Sequence, residues 1–145
     1  MYEQFCENSM EIFNKIKYFN LHRPQKIPKK DVENYPKKKD PSLNSYPKLA
    51  AMMQSDDKIE RYWINKCVSK LRELDKFNED YLAELEEEAE IKDVVGQNLQ
   101  TNMFSYPVTL SRYIDMFWNL GSTVGAGRGS ACSGLNHYLL GRLCC

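Results

Sequence analysis

Apolar residues recur along this chain at helical spacing, broken by one proline-rich stretch and one glycine-rich loop. Phe5, Ile12, Phe13, Ile16 and Phe19 predict a first helix from about Glu3 to Phe19. Pro24, Pro28, Pro36, Pro41 and Pro47 then interrupt any regular pattern. Proline lacks a donor and biases the residue before it toward extended backbone, so residues 21–48 read as a solvated linker. Periodicity resumes with Leu49, Met52 and Met53. Asp56 or Asp57 can cap a helix whose apolar face is Ile59, Trp63, Cys67, Leu71 and Leu74, and Asn78 can cap the next, with Tyr81, Leu82, Leu85 and Ala89 inward. Gly96 is expected to end that helix. Ser105 as cap and Pro107 in the first turn open another, carrying Leu110, Ile114, Phe117 and Trp118, which stops at Gly121.

Ser122-Thr123-Val124 is β-branched and short, which predicts a buried strand. Gly125-Ala126-Gly127-Arg128-Gly129-Ser130 follows, and Leu135, Tyr138, Leu139 and Leu140 mark a helix behind it. Alternate glycines leave backbone N–H groups open to a ligand, Arg128 adds a fixed positive charge, and Ser130 stands where a helix would be capped. Those features suit a phosphate group. The loop is neither a P-loop, which needs Lys before the hydroxyl residue, nor a dinucleotide fingerprint, whose third glycine would fall at Ser130. The serine-hydrolase elbow is absent too.

Net charge is zero, so overall charge names no nucleic-acid partner, although basic residues cluster from Arg23 to Lys48 and acidic ones from Glu73 to Asp93. Lys37, Lys38 and Lys39 are candidates for phosphate contact. The Glu84–Glu90 run reads as a solvated helix face rather than a metal site. The 5 cysteines show no C-x-x-C pair, which predicts reduced thiols and no zinc site. No secretory leader and no membrane-length apolar run is visible, so a cytoplasmic protein is expected.

The stretch Gly121 to Leu135, followed by Tyr138-Leu139-Leu140-Gly141, resembles the palm segment of the bacterial DNA polymerase III alpha subunit family, the C-family replicative polymerases, whose motif is close to V-G-P-G-R-G-S-A-A-G-S-L-V-A-Y-L-L-G. Asn102 to Tyr106, the helix through Asp115 to Trp118 and the Glu-rich helix resemble the segments before that motif. Cys6 to Ile12 and Leu21 to Lys29 resemble the junction after the family's N-terminal PHP domain. Ala126 departs from the family's proline, Ser133-Gly134 reverses its order, and Asn136-His137 stands where the family has a small apolar pair. His137 is read as an exposed or satisfied helical residue rather than a base.

The resemblance implies an α+β fold, predominantly helical over this stretch: part of a polymerase β-like nucleotidyltransferase palm with flanking helices. Its expected divisions are a helical segment at 1–20, the linker at 21–48 and an incomplete palm-type region at 49–145. It implies that Gly127, Arg128, Gly129 and Ser130 contact the triphosphate of a deoxynucleoside triphosphate, with Gly125 shaping the loop. Primer-template DNA and other replisome subunits are the implied partners. The family's reaction, template-directed deoxynucleotide transfer to a primer 3′-end, uses Mg²⁺ held by aspartates that lie beyond Cys145 in the family's order. The chain is therefore expected to be a polymerase fragment without catalytic or metal-binding residues. The alternatives are a stand-alone module that binds nucleotide or DNA, and a helical interaction protein whose glycine loop serves packing.

Overall fold

The computed structural model describes residues 2–16, 27–28, 31–125, 129 and 133–141, and among them the chain is helical with no strand. The elements are α1 (Tyr2–Lys15), a 3₁₀ turn (Pro41–Leu43), α2 (Pro47–Met53), α3 (Lys58–Glu73), α4 (Glu79–Leu99), α5 (Ser105–Asn119) and α6 (Leu135–Leu139). Helix α3 is the hub. It packs on α2, α5 and α6, while α4 packs on α2 and α6. Trp63 of α3 is wholly buried and meets Phe104 edge-to-face at 5.1 Å. Leu43, Leu49, Ile64, Cys67, Leu71, Leu85 and Ala89 belong to the same buried core.

Local chemistry explains where these helices start and stop. Asp57 caps α3 by accepting from the Ile59 N–H at 2.7 Å, and Asn78 caps α4 by accepting from the Tyr81 N–H at 3.2 Å. At the end of α5, Gly121 adopts φ +75°. The Gly121 and Ser122 N–H groups return to the Trp118 and Phe117 carbonyls, each at 3.0 Å, which is a Schellman closure. Gly96 does not end α4, contrary to the sequence reading. The helix runs on to Leu99 and turns at Gln100, whose φ is +52°. Glycine stands at 96 because the chain folds back over it: a Cβ there would lie 2.7 Å from the Thr101 carbonyl oxygen. Helix α5 starts after Phe104 rather than from a Ser105 cap, and Asn102 accepts from the Phe104 N–H at 2.8 Å.

Residues 31–46, within the expected linker, are largely exposed yet tied to the body at particular points. Val32 and Leu43 enter the core, and Tyr35 meets Tyr62 at 6.0 Å. Arg61, buried on α3, donates from Nε to the Tyr35 carbonyl at 2.8 Å and from Nη2 to Asn34 Oδ1. One buried guanidinium thereby satisfies backbone that proline-rich sequence leaves without ladder partners. Lys37 pairs with Asp56, and Lys58 with Asp31. Asp40 accepts from Ser42 N at 3.1 Å and pairs with Arg72 at 2.7 Å. Burial would raise the Asp40 carboxyl, but hydrogen bonds from Arg72 and Ser42 outweigh it and hold the group below the ordinary carboxylate value.

Two apolar surfaces stay open. Helix α1 is amphipathic as expected yet buries none of its residues. The second half of α5 leaves Tyr113, Met116, Phe117 and Trp118 about half exposed, so of the expected apolar face Leu110 and Ile114 are half-buried while Phe117 and Trp118 stay open. The strand expected at Ser122-Thr123-Val124 is irregular chain. Strand hydrogen bonds need a neighbouring strand, and none lies among the described residues, so the β component of the expected palm is not supported.

A candidate phosphate loop and its anchorage

The glycine loop leaves the body at the Gly121 closure and returns at Ser133. Its central residues Ala126, Gly127 and Arg128, together with Ser130, lie outside the described residues. Gly129 is exposed with φ +75°, a backbone region that disfavours any side chain. Gly125 is exposed, and a Cβ added there would meet nothing within 4 Å among the described residues. The described helix behind the loop begins at Leu135, with Gly134 at its cap position.

The return leg is firmly held. Asn136, 2% exposed, donates to Glu88 Oε2 from its backbone N at 2.9 Å and from Nδ2 at 2.6 Å. Gly134 fits beneath this contact, since a Cβ there would sit 3.1 Å from Glu88 Oε1. Ser111 on α5 donates to the Leu140 carbonyl at 2.8 Å, and Leu139 and Leu140 are buried in the core. Lys76 lies over the Tyr138 ring at 5.2 Å and the Tyr81 ring at 5.5 Å. The neighbouring Tyr138 and Tyr81 hydroxyls raise the Lys76 ammonium above its ordinary value.

The acidic helix therefore does more than face water. Glu86 accepts from the Lys48 and Leu49 N–H groups at 2.7 and 2.8 Å, satisfying the start of α2, while Glu88 does the same for α6. These anchors join residues 37 to 48 positions apart, and no local sequence signal marks them. Asn136, which the resemblance made a departure from an apolar pair, is the polar half of this clamp. His137 is half-buried and has interaction partners.

The Mg²⁺ implied by the resemblance finds no fitting ligand set among the described residues. No three His, Cys, Asp or Glu side chains are grouped to hold an ion there, and two glutamates of the acidic helix are engaged by backbone donors. Also among the described residues, no helix is long and apolar enough to cross a membrane.

With this geometry in place, the comparisons point to one class: DNA polymerases. The chain is 30% identical over 157 aligned residues, 95% of its length, to the probable DNA polymerase YorL of Bacillus subtilis (strain 168). It is equally similar to the DNA-directed DNA polymerase of Bacillus phage SPbeta. The alignment spans 12% of each of those proteins, so the likeness is to one stretch of a polymerase and supports a polymerase-related role. No family model matches the chain, and no solved structure matches it.

Proposed function

We propose that this chain is a nucleotide-binding region of a bacterial replicative polymerase of the DNA polymerase III alpha type. The observation that carries the reading is the polymerase similarity over 95% of the chain, which includes the loop Gly125 to Ser130 within its reach. Arg128 would pair with phosphate oxygens, Gly129 and Gly127 would offer backbone N–H groups without side-chain cover, and Ser130 would donate its hydroxyl. The positive φ of Gly129 and the buried clamp behind the loop support such a cradle, because a binding loop gains precision from rigid ends.

In this reading the loop holds the triphosphate of an incoming deoxynucleotide, and primer-template DNA and other replisome subunits are partners of the larger assembly. Deoxynucleotide transfer, with release of pyrophosphate, needs the metal-binding aspartates of the family. This sequence holds no Asp-x-Asp pair, so the chain by itself binds and does no chemistry. The test is a calorimetric titration of a deoxynucleoside triphosphate into the wild type and Arg128→Ala. Weak, salt-sensitive binding that the substitution diminishes is expected, and equal binding by both proteins would sink the role of Arg128.

A further inference from the structure

We propose that the groove between α3 and α5 is a second phosphate site, which takes the sugar-phosphate backbone of DNA. The groove holds about 350 Å³ and is lined by Tyr62, Lys66, Ser69, Lys70, Ser111 and Arg112, ending on Leu139 to Gly141. Two cations converge on one ring. Lys66 Nζ lies 5.5 Å and the Arg112 guanidinium 5.8 Å from the Tyr62 ring centre, one from each helix. Tyr62 is itself buried, so its ring draws both cations toward one point and offers no open face to a base.

The charge at this spot is unbalanced. Lys70 is paired with Glu73 at 2.8 Å. Glu73 and Asp115 also line the groove, leaving one more cation than carboxylate there, and among the described residues neither Lys66 nor Arg112 has a carboxylate within ion-pair distance. Elsewhere in the body Lys37, Lys48, Lys58 and Arg72 are engaged by aspartates. Two cations on separate helices without an ion pair among the described residues, with the Ser69 hydroxyl lining the same groove, suit a polyanion that runs through it. No glycine-rich backbone cradles a terminal phosphate there, and no exposed ring stacks a base. The contact is therefore to the sugar-phosphate backbone and independent of sequence.

The choice of DNA over another polyanion rests on the polymerase reading, while the site itself rests on the groove. Fluorescence anisotropy with fluorescein-labelled single-stranded and duplex DNA, across a salt series, tests it. Wild type should bind with a log-log salt slope that falls by about 0.7–0.9 for each phosphate contact removed. Lys66→Ala/Arg112→Ala should then flatten the slope by about two contacts and weaken binding several-fold, with an unchanged circular dichroism melt. Lys66→Gln/Arg112→Gln keeps more of each stem and serves if the alanine pair unfolds. Deoxynucleoside triphosphate binding should survive in both double variants, and DNA binding should survive in Arg128→Ala, which separates this site from the loop. An unchanged slope in the double variants, no DNA binding by the wild type at low salt, or loss of binding only in Lys38→Ala/Lys39→Ala would overturn the proposal.

Discussion

Removing the Glu88 carboxylate should release the helix that follows the glycine loop. Glu88→Ala leaves two donors of a 2%-exposed residue, Asn136 N and Nδ2, without their acceptor. Hydrogen bonds to a charged partner contribute about 1.5–3 kcal/mol each, and water entering the space left by the side chain recovers part of that. The net loss should be about 3 kcal/mol, which for a chain of this length lowers the melting temperature by roughly 6–12 °C. Glu88→Gln keeps one acceptor oxygen and should cost about 1 kcal/mol. Asn136→Ala should cost less than Glu88→Ala, because it also removes the buried Oδ1, which has no partner among the described residues. Urea unfolding followed by far-ultraviolet circular dichroism and tryptophan fluorescence measures all three, with buried Trp63 as the internal probe. A double-mutant cycle between positions 88 and 136 should give a coupling of about 1–2 kcal/mol. A loss below about 0.5 kcal/mol for Glu88→Ala, or strict additivity in the cycle, would refute the clamp.

Three further outcomes follow from the backbone and the charge pairs. Gly96→Ala should destabilise by about 1–3 kcal/mol despite alanine's better helix propensity, because the new Cβ meets the Thr101 carbonyl at 2.7 Å; the urea midpoint reads this directly. Gln100→Gly should raise that midpoint, with a gain of about 0.5–1 kcal/mol, since φ +52° strains a residue with a side chain. Asp40 titrates below its ordinary value in the folded chain, so its stabilisation is present above the unfolded pKa of about 4 and is lost as pH falls through the lower folded value. Asp40→Asn should accordingly make melting temperature fall less steeply below about pH 4 than in the wild type.

What could be read from sequence was whatever is decided locally. Asp57, Asn78 and Gly121 act within a few residues of themselves, and each does in the structure what its position suggested. Gly96 misled because glycine answers to two demands, and here the demand is a chain reversal packing against a helix rather than its end. Glu86, Glu88 and Arg61 were illegible for a different reason. A glutamate that caps a distant helix has the same sequence context as one facing water, and an arginine that holds a proline-rich strap looks like any other helical arginine. Ser122 to Val124 has strand propensity but no partner strand among the described residues, and propensity without a ladder makes no sheet. At the loop, alternating glycines around Arg128 are a local signal that sequence shows directly, and the positive φ of Gly129 accords with it.

The most direct measurement of the loop's role is the affinity of the chain for a deoxynucleoside triphosphate, by calorimetry at low and moderate salt, in the wild type, Arg128→Ala and Lys66→Ala/Arg112→Ala. Loss of one charge-assisted phosphate contact, about 1.5–3 kcal/mol, should weaken binding by Arg128→Ala roughly tenfold or more and leave the groove variant at the wild-type value. Absence of binding by the folded wild type, or equal affinity in wild type and Arg128→Ala, would contradict the account.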